Sequence, residues 1–240
     1  MTLPLREVAR RVNALPGVRP KKIIPLLLPM WAAEVTATVR ESQPYDVLDR
    51  YLCRAIAEAG LVDTAGLAEF LGVEPSLVSR AERFLAGIGH LRRDGDTLAL
   101  TDLGRQSIAD GRRYQLARGR RLVLRFDGFT GAPVPYAGAN RFTWLTVPEL
   151  TQPDGTRFEP VPGAGALPGS AVEGLLSRPD VAEFTGPAVP VTADQVEVRP
   201  LWLPAYLVEC EDEPLVFGAA VDGPDPYLAG FTPFLTGHSS

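Results

Sequence analysis

Histidine and cysteine are almost missing from this chain: 240 residues hold two of each, His90, His238, Cys53 and Cys210. That scarcity excludes a good deal of chemistry. A Ser-His-Asp or Cys-His site would have to use one of the two histidines, and no Gly-x-Ser-x-Gly nucleophile elbow is present. His90 lies between a helical and a strand-like stretch, where a hydrogen-bonding role is the expectation, and His238 falls in a tail expected to fray over residues 236–240. Neither cysteine has a Cys or His neighbour at metal-ligand spacing, and the pair makes no disulfide framework, so reduced, cytoplasmic surroundings are expected. Long apolar runs are missing too. Residues 23–33 are interrupted by Pro25 and Pro29, and fall short of the about 20 residues that a bilayer-spanning helix needs. The first residues lack the basic, apolar, small-residue order of a secretion signal, so no membrane partner is expected.

Phosphate and metal motifs are equally scarce. The Gly-rich string at residues 163–169 lacks the Walker spacing with Lys and Ser/Thr and the full dinucleotide pattern after a strand. Glu209, Glu211, Asp212 and Glu213 lack calcium-loop spacing and read as a solvated turn. No cofactor and no metal are expected.

What the chain does have is proline and glycine, 23 of each, concentrated after Thr130, which points to short strands and turns there. A 45% hydrophobic and 22% charged composition is that of a folded protein, and the length suits two domains with a core in each. The net charge of −5 is unevenly spread. Residues 76–125 hold eleven arginines against five acids, whereas residues 126–240 hold four against fifteen. A basic segment joined to an acidic remainder fits one face meeting nucleic acid, although arginine-rich helix ends can equally be solvated surface.

The basic segment is also the most patterned. Val47, Leu48, Tyr51, Leu52, Ala55 and Ile56 recur at helical spacing, Gly60 can stop that helix, and Thr64 can open a shorter one over residues 65–71, with a turn at Gly72. Leu77, Val78, Ala81, Phe84, Leu85 and Ile88 then define the buried face of a helix entered at Pro75 and ended by Gly87 and Gly89. Ser76, Ser79, Arg80 and Arg83, with Glu82, are left for an exposed face. Asp94-Gly95-Asp96 between two short β-prone runs signals a hairpin carrying Arg92 and Arg93. This order, over residues 45–114, resembles the winged helix-turn-helix domains of bacterial regulators. The resemblance implies that the second helix of the pair enters the major groove and that the hairpin lies along a phosphate backbone. It names Ser76, Ser79, Arg80, Arg83, Arg92 and Arg93 as DNA-binding residues.

Elsewhere the reading is coarser. Residues 3–15 suit a short amphipathic helix with Leu5, Val8, Val12 and Leu15 on one side. Residues 18–41 read as extended structure followed by a strand, because two prolines exclude a regular helix. Residues 103–114 suit a helix capped by Asp102, residues 115–119 a hinge, residues 120–126 a strand, and FDGFTG at 126–131 a turn. Residues 140–147 read as a strand, 172–176 as a short helix, and 195–209 and 215–221 as two strands joined by the acidic turn. PLLLPMW at 25–31 and PLWLPAY at 200–206 share a pattern and read as prolyl edge strands of one sheet, if the echo is not chance.

The fold expectation is therefore α+β: a winged helix-turn-helix module at residues 41–113, a β-rich domain of short strands and Pro/Gly-rich loops at 114–240, and residues 1–40 as a helix and extended segment that can pack on the latter. Two functions follow. One is a DNA-binding transcriptional regulator whose β-rich domain senses a ligand or self-associates; the other is a winged-helix interaction subunit of a protein complex without sequence-specific DNA binding. No catalytic constellation is found. Partners are expected to be duplex DNA, and a second copy or a protein complex. Trp31, Trp202 and Tyr206 lie in Pro-bounded extended segments that are either covered within the chain or pair with another chain, and self-association is expected through the C-terminal domain.

Overall fold

The computed structural model describes residues 3–95, 97–162, 165–219 and 223–235, with only the backbone of residues 194 and 195. Asp96, Val221 and His238, with the tail at 236–240, lie outside the described residues. The chain is mixed α and β. In order it forms α1 (Leu5–Asn13), β1 (Pro20–Gln43), α2 (Val47–Glu58), α3 (Thr64–Leu71), α4 (Pro75–Gly87), β2 (Leu91–Asp94), β3 (Thr97–Leu100), α5 (Asp102–Ala109) and β4 (Arg113–Asp127). After these come α6 (Tyr136–Ala139), β5 (Glu159–Pro160), α7 (Ser170–Leu176), α8 (Ala182–Thr185), β6 (Val189–Cys210), β7 (Leu215–Gly218), α9 (Pro226–Ala229) and α10 (Thr232–Leu235). The main sheet runs β4-β1-β6-β7, with β5 parallel to β1, and β2 and β3 make a separate hairpin. Two compact units result. One comprises Met1–Val35, Arg121–Gly186 and Gln195–Ser240, and the other Thr36–Arg120 and Pro187–Asp194.

In the first unit the sheet is covered on both faces. Leu26, Leu28, Met30 and Ala32 of β1 join Leu201, Leu203, Ala205 and Leu207 of β6 in one core, while Leu27, Tyr206 and Val208 meet Val8, Val12, Phe158 and Phe217 in another. A strand buried on both sides must be apolar at both parities, which is why these segments read as continuous hydrophobic runs. The two prolyl segments are neighbours in one sheet, with β4 beyond β1 and β7 pairing β6 at Ala205–Val208. Strand β1 also runs unbroken through Pro25 and Pro29. Tyr206 is fully buried, its hydroxyl donating to the Leu3 carbonyl (2.8 Å) and accepting from Gln152 Nε2 (2.8 Å). Tyr206 is covered within its own chain, and Trp202 packs against the same core.

FDGFTG is a tight structural turn. Asp127 accepts from the Phe129 and Thr130 amides at Oδ1 (2.9 and 2.6 Å), and from the Thr130 hydroxyl and the Ala132 amide at Oδ2 (2.6 and 3.0 Å). Gly128 donates to the Pro29 carbonyl at 2.9 Å, and a Cβ there would sit 2.5 Å from that oxygen. Residues 140–147 do not form a strand; Leu145 makes only an isolated bridge with Trp202.

The second unit holds α2 to α5 and the β2–β3 hairpin. Asp46 caps α2 by accepting from the Leu48 amide (3.0 Å), Asp63 caps α3 through Gly66 (2.8 Å), and Pro75 opens α4 at its first turn. Gly72 ends α3 in the left-handed region at φ 64°, which a side chain would resist. Leu52, Leu67, Val78 and Leu85 are fully buried together, each large side chain worth about 1.5–3 kcal/mol. The helix expected over residues 103–114 is shorter: Thr101, not Asp102, caps α5 through the Gly104 amide (3.1 Å), and it ends at Ala109. The expected hinge at 115–119 lies inside β4. A strand there supplies the ladder bonds a loop would leave unmade.

Candidate nucleic-acid interface

Helix α4 presents Ser76, Arg80 and Arg83 to solvent, with Ser79 half-buried, and β2 presents Arg92 and Arg93. Arg83 Nε donates to the Ser79 carbonyl one turn back (3.3 Å), which keeps its guanidinium along the helix. Among the described residues no carboxylate pairs with Arg80 or Arg92. Arg93 differs. Its Nη2 donates to Glu82 Oε2 at 3.1 Å, and the Thr64 hydroxyl donates to the same oxygen at 3.1 Å. Glu82 is thus not on the exposed face: it is 6% exposed and ties β2 to the start of α3, with Oε1 buried and unpaired. Helical spacing places it next to Arg83, but Arg93, eleven residues on, decides its environment.

The exposed face of α4 is also more apolar than expected. Leu77 and Phe84, assigned to the core by periodicity, are 41% and 42% exposed. With Leu48, Ala81 and Arg80 they line a cleft of about 350 Å³ whose polar wall is Asp46, Asp49 and Arg113. Burial, and then the neighbouring Asp46, hold the Asp49 carboxyl above its ordinary range, against the pull of Arg113 at 3.8 Å. Arg113 also lies over the Phe84 ring, 5.1 Å from its centroid. On α2, Val47 and Tyr51 are 71% and 54% exposed, so the apolar positions read there as one buried set form two stripes, of which Leu48, Leu52 and Ile56 make the inner one.

The junction between α4 and β2 is fixed by His90, which is fully buried. Nε2 lies 2.6 Å from the Tyr114 carbonyl, an obligate acceptor, so this nitrogen carries the hydrogen; Nδ1 accepts from the Tyr45 hydroxyl at 3.1 Å. The His90 carbonyl accepts from the Thr101 amide at 2.9 Å. Burial lowers the imidazole pKa below its ordinary value, the bond to Tyr114 opposes this, and Arg113 adds to the lowering. These contacts fix the junction to Tyr45, Tyr114 and Thr101, and the His90 amide donates to the Leu85 carbonyl of α4 at 2.8 Å. They occupy both ring nitrogens and leave neither for a ligand.

Nucleophilic and metal chemistry find little here. Burial pushes the Cys53 thiol up to about 12, so it stays protonated, and no group of three or more His, Cys, Asp or Glu among the described residues could hold a metal. No helix among them is long and apolar enough to cross a membrane. Charge is local: the second unit as a whole holds twelve arginines and thirteen acids. No family model matches the chain, and neither a curated protein nor a solved structure matches it.

Proposed function

We propose that residues 45–114 act as a winged helix-turn-helix that binds duplex DNA, in a regulator whose first unit senses a ligand or mediates association. The observation that carries this reading is the pair of cations without a carboxylate partner among the described residues, Arg80 on α4 and Arg92 on β2, on a helix and a hairpin tied together by Glu82 with Arg93 and by the His90 amide donating to the Leu85 carbonyl. The turn at Gly72 between α3 and α4, and the Leu98 amide donating to the Val62 carbonyl (2.7 Å), support the same module. Arg92 neutralises phosphate. Arg93, engaged by Glu82, orients the hairpin.

Fluorescence anisotropy of a generic duplex at two salt concentrations tests it. Binding weakens as salt rises, and Arg92→Ala flattens the slope by about 0.9. Arg80→Ala changes discrimination between sequences, costing about 1–3 kcal/mol at a preferred site. Absence of salt-dependent binding overturns the proposal. The exposed Leu77 and Phe84, with the near-balanced charge of the unit, favour a second reading, in which this face docks a protein inside a complex. DNA-independent complex formation, lost in Phe84→Ala, would select it.

A further inference from the structure

The helical unit has another cleft, of about 410 Å³, lined by Pro44, Val47, Arg50, Tyr51, Gly111 and Arg112 and by none of the arginines assigned to DNA. Val47 and Tyr51 stand one turn apart on α2, so their side chains are adjacent, and both are more than half exposed. With Pro44 they give the cleft an apolar floor between two arginines. The rim is positive. Arg50 has no partner among the described residues, and Arg112 gives its Nε to the Ser42 hydroxyl (2.8 Å) rather than to an acid. The nearby acids are engaged elsewhere: Asp46 caps α2, and Asp110 accepts from the Tyr114 hydroxyl at 2.9 Å. Among the described residues no carboxylate lines the cleft.

We infer that this cleft docks an acidic, amphipathic segment of a partner protein. An aliphatic or aromatic anchor covers Pro44, Val47 and Tyr51, and carboxylates of the same segment pair with Arg50 and Arg112, whose planar forks suit them. Charge complementarity excludes a basic segment. A phosphate backbone is the poorer match, because it gains from cations and polar donors but nothing from covering Val47 and Pro44. This surface goes beyond the DNA reading and stands whether or not α4 binds a duplex.

The test uses the full chain. A displayed library of random peptides of about twelve residues is selected on the immobilised protein, and the leading peptide, labelled with fluorescein, is titrated by anisotropy. Selected sequences are expected to combine Asp or Glu with Leu, Phe or Trp. Arg50→Glu, and separately Val47→Ser, should each weaken binding about tenfold or more, with unchanged circular-dichroism melts. An unlabelled duplex should not displace the peptide. Failure to enrich acidic sequences, or a charge reversal without effect, overturns the inference. Displacement by duplex would assign the cleft to nucleic acid and overturn it equally, whereas loss of salt-dependent duplex binding alone would sink only the DNA reading.

Discussion

Acidification should loosen the helical unit through one residue, His90. Its ring is fully buried and neutral, with Nε2–H held by the Tyr114 carbonyl and Nδ1 by the Tyr45 hydroxyl, and its pKa lies below the ordinary 6.5. In the unfolded chain the same ring titrates at its ordinary value. Below pH 6.5 the unfolded state therefore binds the extra proton, and stability falls with pH until the folded-state pKa is reached. While the folded ring stays neutral the loss is about 1.4 kcal/mol per pH unit, a factor of ten in the opening equilibrium. Native-state hydrogen exchange at the Thr101 amide, which donates to the His90 carbonyl, reads that opening directly. Its protection, corrected for intrinsic rate, should fall as pH drops below 6.5 in the wild type, by no more than about tenfold per unit and only until the folded-state ring itself titrates. The His90→Gln variant should lose this pH dependence. With only two histidines, the imidazole NMR spectrum is simple enough to follow His90 itself. A ring titrating at or above 6.5, or the same pH slope in His90→Gln, would refute the reasoning.

Other perturbations probe other parts of the fold. Leu85→Ala empties a fully buried site between α4 and α2 and should cost about 2–5 kcal/mol by urea melting; a near-neutral result would contradict the packing of the helical core. Glu82→Ala removes the acceptor of both Thr64 and Arg93, and should cost about 1–3 kcal/mol while releasing Arg93. If the hairpin lies along DNA, that variant should also gain salt dependence, and an unchanged slope would mean that Arg93 stays away from phosphate. Gly128→Ala drives a methyl onto the Pro29 carbonyl and should cost about 1–3 kcal/mol or more, read as a lowered thermal midpoint; tolerance would show that the FDGFTG turn can move.

The helices of residues 45–114 were legible because Leu48, Leu52, Ile56, Val78 and Leu85 keep a helical period that only a buried stripe explains. Periodicity did not say how wide that stripe is. Val47, Tyr51, Leu77 and Phe84 are as apolar as their neighbours, and their exposure depends on which helix crosses over them. Glu82 was misread for the same reason, since its partners Thr64 and Arg93 come from other elements. The prolines of β1 and β6 pointed to sheet edges because a missing donor is easiest to tolerate there. Burial on both faces, the actual cause of those apolar runs, follows from α1, β5 and the chain after Tyr136 folding onto the sheet, which no local pattern encodes. Among the proposed DNA contacts, residue type alone could not separate Arg92 from Arg93; the ion pair with Glu82 does.

Three arginine pairs close the base of the helical segment: Arg112 with Ser42 (2.8 Å), Arg113 with Gln43 (2.5 Å) and Arg120 with Glu41, the last through both Nε (2.9 Å) and Nη2. In polymer terms they pin the two ends of a long excursion that leaves β1 and returns as β4. The entropy of closing such a loop grows only logarithmically, each doubling costing about 0.6 kcal/mol. The length of the segment between Pro44 and Gly111 therefore weighs little on the cost of closing it, and the arginine clasp at its base, with the bonds from Tyr114 to His90 and from Arg40 to Gln106, sets where it is closed.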